Sequence, residues 1–257
     1  MVSVTDTRVD VPLPDGTADA LLAYPEDMGP CPGVLLYMDA FGPRPQLERM
    51  AHRLAASGYT VLVPNVFHRY GRAPLIDLPA VIDTARHPEI FQRLGPMIRS
   101  LTPELVARDA DGCLRWLAAS PLVAAGPVGV TGYCMGVRLA LYTAAARPDR
   151  VTAVAGFHGA HLATTEPDSP HLLLDRVRAE VYLAHADADP SLPPEQIERL
   201  AGALRAAGVR HRAEVYPGAR HGFTQADTVS YDHTADERHW AALLDLFART
   251  LHGPPVP

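Results

Sequence analysis

Residues 128–141 read Val-Gly-Val-Thr-Gly-Tyr-Cys-Met-Gly-Val-Arg-Leu-Ala-Leu, and this stretch constrains the fold more than any other. A short apolar run, Val128 to Thr131, is joined to an Ala- and Leu-rich helical stretch, Val137 to Ala146, through a segment containing Gly132 and Gly136. A join this short between strand and helix leaves Cys134 at the tip of a sharp turn, at the upper edge of a sheet. A Cβ at either glycine would crowd the neighbouring strand and helix. The thiol also lies at a helix N-terminus, where free N–H groups and the helix dipole favour a thiolate. The spacing is Gly-x-Ser-x-Gly with sulfur in place of the hydroxyl oxygen. A free cysteine by itself is more often a small buried hydrophobe. The strand–turn–helix setting shifts the reading toward a nucleophile.

The same alternation runs along the chain. Leu21–Tyr24 and Val34–Met38 read as buried strands bounded by Pro and Gly, and Tyr59–Val63, Val151–Phe157, Val181–Ala184 and Arg212–Tyr216 as further strands. Between them, Gln46–Ser57, Ile197–Ala207 and Glu237–Leu251 carry apolar residues at helical spacing. A further helix begins after Thr102, a candidate N-cap followed by Pro103 and Glu104 in the first turn. Residues 65–101, rich in Pro, Gly and Arg, read as an irregular excursion on the substrate side, with weak helical periodicity between Ala80 and Ile98. No internal repeat or composition shift marks a second domain. The expectation is one α/β domain over residues 1–252, a mostly parallel sheet with helices on both faces, and a frayed tail at 253–257. Ligands of such sheets bind beyond the carboxyl ends of the strands.

A thiol nucleophile needs a base, and the base an orienting acid. His221, in the glycine-flanked segment Gly218-Ala-Arg-His-Gly-Phe223 after the last strand, is the best placed of the twelve histidines. Between Cys134 and His221 stands Ala184-His-Ala-Asp-Ala-Asp-Pro190. Asp189, immediately before a proline-rich turn, is favoured as the acid, with Asp187 as the alternative. The N–H groups of Met135 and Ala40 are the candidate oxyanion donors, Ala40 coming from the loop after an early strand.

At these residues the chain resembles the dienelactone hydrolase (carboxymethylenebutenolidase) family, with its α/β-hydrolase fold. Gly-Tyr-Cys-Met-Gly, Ala-Asp-Pro around Asp189 and Gly-Ala-Arg-His-Gly-Phe around His221 carry the resemblance, which extends over nearly the whole chain. It implies a Cys-Asp-His triad made of Cys134, Asp189 and His221, and no metal or organic cofactor. It also implies a thiol-modulating role at Asp39, where the family's best-known members carry a longer glutamate. Those members grip a substrate carboxylate with arginines, one of them at the position of Gln225. A neutral amide cannot supply a guanidinium's charged fork, so Arg86, Arg93 and Arg99 in the excursion become candidate substrate contacts. His158, following a strand, is another.

The formal net charge of −6 and pI near 6.0 argue against nucleic acid or an anionic membrane as partner. All 23 cationic side chains other than histidine are arginines, which excludes lysine chemistry. The first ten residues lack a basic and apolar leader, and no apolar run is long enough to span a bilayer. Three widely spaced cysteines without a Cys-x-x-Cys pair suit a reduced cytoplasmic setting. His158-Gly-Ala-His161 and His185-Ala-Asp187 lack the spacing of a metal site. The expected activity is hydrolysis of a small-molecule ester or lactone by a monomer or homodimer. Acyl transfer, thioester cleavage or a non-catalytic binding or redox-responsive role are the alternatives.

Overall fold

The computed structural model describes residues 2–251 of the chain, so the tail expected to fray lies outside the described residues. The apolar runs form one eight-stranded sheet in the order β1-β2-β4-β3-β5-β6-β7-β8. Its strands are β1 (Val4–Leu13), β2 (Gly16–Pro25), β3 (Gly33–Tyr37), β4 (Thr60–Pro64), β5 (Val128–Tyr133), β6 (Val151–Phe157), β7 (Glu180–Ala186) and β8 (His211–Tyr216). From β4 to β8 all neighbours are parallel, whereas β1 and β2 add an antiparallel edge. Strands β3, β4 and β5 are buried throughout, which is why they read as unbroken apolar runs rather than as alternating ones. Strand β1 shows no such signal. It is an edge strand whose Asp6, Thr7 and Asp10 face solvent, and its pairing with β2 brings it into the sheet.

Helices α1 (Pro45–Ala56), α2 (Glu89–Arg99), α3 (Pro103–Ala119), α4 (Met135–Ala146), α5 (Pro194–Ala206) and α6 (His233–Leu251) surround the sheet. Helix α1 buries Leu47, Met50, Leu54 and Ala55, the residues its spacing aligns. Helix α3 starts at Thr102, whose hydroxyl accepts the Leu105 N–H at 3.3 Å. Both faces of the sheet are covered, as β5 illustrates. The bare Cα of Gly129 faces Phe247 and Leu251 of α6, and that of Gly132 faces Gly136 of α4. Positions three apart on a strand point to opposite faces, so α4 and α6 flank the sheet from opposite sides. Helix α1 shares the face of α6: Arg53 pairs with Glu237 and lies over the Trp240 ring. Helix α3 packs on α4. Several helices start earlier than their apolar periodicity indicates, because their first turns are polar or proline-bearing, as at Pro194 and His233.

The excursion between β4 and α3 is more ordered than its composition suggests. It holds a 3-10 turn at His68–Tyr70 and helix α2, which buries Ile90 and Leu94. Ile82 forms an isolated bridge with Thr228: its N–H donates to the Asp227 carbonyl at 2.8 Å, and its own carbonyl accepts from Val229 at 3.1 Å. That bridge straps the excursion to the loop after β8, beside the carboxyl edge of the parallel strands.

Candidate active site

Cys134 connects β5 directly to α4 with φ 53° and ψ −115°, a backbone state that costs a non-glycine residue about 1–3 kcal/mol. The flanking glycines make this turn possible. A Cβ on Gly132 would stand 2.2 Å from the Gly136 carbonyl oxygen, and one on Gly136 would stand 2.6 Å from the Met38 carbonyl oxygen. Backbone bonds hold the turn: Cys134 N–H donates to Phe157 at 3.1 Å, and its carbonyl accepts from Val137 and Ala160 at 3.3 Å. Met135 N–H, in the first turn of α4, is one of the donors a helix start leaves free. Among the described residues, Ala40 N–H also has no hydrogen-bond partner.

His221 lies in the loop after β8 and Asp189 in the loop after β7, both brought to the edge that carries Cys134. His221 Nδ1–H donates to Asp189 Oδ2 at 2.6 Å, and the other carboxylate oxygen accepts the Ser191 N–H at 2.8 Å. Asp187 points elsewhere, accepting the Gly218 N–H at 2.8 Å, so of the two acids only Asp189 meets the imidazole. Burial opposes charge on His221, but the Cys134 sulfur and the Asp189 carboxylate outweigh it and raise the imidazole to about 10. Asp189 is lowered: burial works against its charge, and the hydrogen bond from His221 and that charge prevail. The arrangement favours a protonated imidazole beside the Cys134 sulfur.

These groups open onto a cavity of about 960 Å³ lined by Cys134, Met135, Ala40, Asp39, His158, Asp189, His221, Gln225 and Arg99, among others. Arg86 and Arg93 do not reach it. Burial of Ile90 and Leu94 turns Arg93 to the outside of α2, and Arg86, almost fully exposed, pairs with Asp83 at 3.3 Å. Asp39 lines the cavity, but both its oxygens are engaged by Arg44, at 2.7 and 2.9 Å, and it makes no hydrogen bond to Cys134. Arg44 is itself buried, bonds Asp227 at 2.6 Å and donates to Gln225 Oε1 at 3.0 Å. Burial opposes its charge, and the carboxylates of Asp39 and Asp227 hold it firmly protonated. Gln225, also buried, donates its amide to Thr224 Oγ1 at 3.1 Å, and Thr224 lies 2.8 Å from His158 Nε2. Full burial, reinforced by the nearby histidines, holds His158 neutral.

Arg44, Arg138, Arg220, Phe41 and Phe91 were not marked by the sequence reading. For Arg138 a signal existed: it follows Cys134 by four residues, one helical turn along the same face. For Arg44 none did: Asp39 lies five residues away across an irregular loop, and its other partners, Asp227 and Gln225, lie at distant positions in the chain. Backbone geometry gives another indication invisible in sequence. The non-glycine residues with positive φ among those described, Cys134, His158, His161 and Ala188, all line this one cavity. Strain of this kind collects where a structure over-determines a functional geometry.

Comparison with known proteins points the same way. The family model described as "Dienelactone hydrolase family" matches residues 18–251. A carboxymethylenebutenolidase of Rhodococcus opacus is 29% identical over 229 residues, covering 88% of this chain and 84% of its own. A Methylorubrum extorquens protein, provisionally given the same name, is 27% identical over 243 residues, covering 93% of this chain and 79% of its own. A crystal structure from Klebsiella pneumoniae, provisionally named a dienelactone hydrolase, superposes with a TM-score of 0.83 at 25% identity, covering 96% of this chain and 99% of that one.

Proposed function

The chain belongs to the dienelactone hydrolase family, and from that premise we propose that it hydrolyses small carboxylic esters or lactones through a triad of Cys134, Asp189 and His221. The observation that carries the triad is the 2.6 Å bond from His221 Nδ1 to Asp189, made beside a cysteine held in a strained strand-to-helix turn. Asp189 fixes the imidazole tautomer, which leaves Nε2 to serve the sulfur. The Cys134 thiolate adds to the ester carbonyl, and the N–H groups of Met135 and Ala40 take up the charge on the tetrahedral oxygen. Collapse of that intermediate breaks the carbon–oxygen bond, and His221 passes its proton to the departing alkoxide or enolate. His221, now neutral, draws a proton from water as that water attacks the thioester. The acid is released and the thiolate–imidazolium pair is restored.

A thiolate attacks well but is also readily expelled, so substrates with stabilised leaving groups such as enolates or aryl oxides suit this site better than amides. The test measures turnover of aryl esters, thioesters and dienelactones by the wild type and by Cys134→Ala, with intact-mass detection of an acyl adduct. Cys134→Ala is expected to lose at least 10³-fold in kcat/KM, as removal of a triad nucleophile does. Unchanged turnover in that variant would overturn the triad. Transfer of the acyl group to added alcohols or thiols in preference to water would reassign the reaction as acyl transfer.

A further inference from the structure

The cavity has two chemically distinct sides, and one of them carries a cation that nothing in the protein neutralises. Arg138 sits one turn along α4 from Cys134 and lines the cavity. Among the described residues it has no ion pair and no hydrogen bond, and its Nε is buried without a partner. Arg99 and Arg220 also line the cavity without an ion pair among the described residues. Among the described arginines, however, Arg138 alone combines that lack with a buried, unpartnered guanidinium nitrogen, since Arg69, whose Nε is likewise buried, is matched by Asp15 and Asp109. The acids around the cavity are already engaged: Asp39 by Arg44, Asp189 by His221, and Asp187 by the Gly218 N–H. A guanidinium nitrogen removed from water and left unbonded is costly unless a ligand satisfies it. Arg138 lies near His161, which burial and then the Arg138 charge push below its ordinary range. His161 N–H donates to Ser191, so this side of the cavity is formed by α4 and the loops after β6 and β7.

The other side is apolar apart from the exposed Arg99, which lines the cavity from α2 together with Phe91 and Ile98. Phe41 and Phe91 meet with ring centroids 5.9 Å apart, and Ile82, Ile98 and Val229 continue the wall. Phe91 and Val229 remain 44% and 53% exposed, although each lines the cavity. Exposed large apolar groups gathered at the mouth of a pocket mark a surface that a ligand covers. Cys134 and His221 line the same cavity as both sides.

We infer that Arg138 is a specificity-determining residue, and that the substrate is an amphiphilic ester whose anionic group seats on Arg138 while an apolar group covers the Phe41–Phe91 wall. This rests on the ester-hydrolase reading above and deepens it. Guanidinium and carboxylate form a charge-assisted, bidentate pair, which lysine or a neutral side chain reproduces poorly.

The experiment uses two matched ester pairs. In the first, the acyl chain is charged or neutral: 4-nitrophenyl hydrogen glutarate against 4-nitrophenyl pentanoate. In the second, the leaving group is charged or neutral: 4-acetoxybenzoate against its methyl ester. The readout is the charged-to-neutral ratio of kcat/KM within each enzyme, which cancels differences in intrinsic reactivity and in the folded fraction. In Arg138→Gln the ratio is expected to fall about 10- to 100-fold for at least one pair, with Arg138→Lys in between. Arg72→Gln, which removes the same charge on an exposed residue remote from the cavity, should keep the wild-type ratio. Ratios unchanged in Arg138→Gln for both pairs would overturn the inference, as would an equal fall in Arg72→Gln. Failure of the underlying hydrolase reading has a different signature, namely neutral-ester turnover that survives Cys134→Ala.

Discussion

Asp187 and Asp189 stand two residues apart in a loop that offers either as partner to a histidine, and their environments separate them. Asp189 is buried, receives the Ser191 N–H on one oxygen and bonds His221 at 2.6 Å on the other. Asp187 is exposed, and its carboxylate caps the Gly218 N–H. The two isosteric substitutions should therefore diverge. Asp189→Asn keeps the shape but presents an amide to Nδ1, favouring the wrong tautomer and removing the charge that helps raise His221. A fall of about 10³- to 10⁴-fold in kcat/KM is expected, the scale seen when a triad acid is neutralised. Asp187→Asn loses one exposed cap and should fall less than about tenfold. Steady-state hydrolysis of a neutral aryl ester by both variants checks this, and comparable losses would remove Asp189 from its assigned role. The sequence supports a preference for Asp189 through its place before Pro190. It does not reveal which carboxylate turns inward, because that depends on how the loop after β7 packs against the loop after β8.

Elements were legible in proportion to how completely they are buried. The central strands β3 to β7 stand out because both their faces are covered, and the cap of α3 stands out because Thr102, Pro103 and Glu104 each satisfy the chemistry of a helix start. Strand β1 was hidden by its solvent face, and α2 by the Gly95 and Pro96 in its interior. What joins elements was harder to read than the elements themselves. Tyr133, next to Cys134, stacks on Phe157 in the core, and its O–H also donates to His239 Nε2 at 3.0 Å. His239 Nδ1–H in turn bonds Asp236 Oδ1 at 2.9 Å, so the end of β5 is tied to α6 through buried polar groups. Tyr133→Phe would leave a fully buried imidazole nitrogen without its donor. That should cost about 1–3 kcal/mol in urea unfolding. A midpoint equal to the wild type would show that the pair is idle.

At the scale of the whole molecule, parallel winding brings the ends of β5, β7 and β8 to one edge, so chain order alone placed Cys134, Asp189 and His221 in mutual reach. The Arg44–Asp39–Asp227–Gln225 cluster had no such order to reveal it, since it depends on side-chain reach between loops. The same packing seals several histidines away from water, and this gives the fold a pH signature. Burial pushes His185 from 6.5 down to about 4, and it also lowers His158 and His239. For each, the unfolded chain takes up a proton near pH 6.5 while the folded protein resists it. Stability is therefore complete above that value and is lost as pH falls toward the folded titration. For His185 alone the full loss is about 3 kcal/mol. The lowered carboxylates act in a separate window: Asp189 and Glu214 begin to cost stability only near and below their ordinary values of 3.8 and 4.5. Between about pH 4.5 and 6.5 the decline in stability then belongs mainly to the buried histidines. His185, outside the cavity lining, isolates one of them. Urea unfolding across that window should give a shallower slope for His185→Gln than for the wild type, by up to about 1.4 kcal/mol per pH unit, the value of one proton. Parallel slopes would mean that His185 gains its proton without unfolding, and that the interior behind β7 admits charge or water.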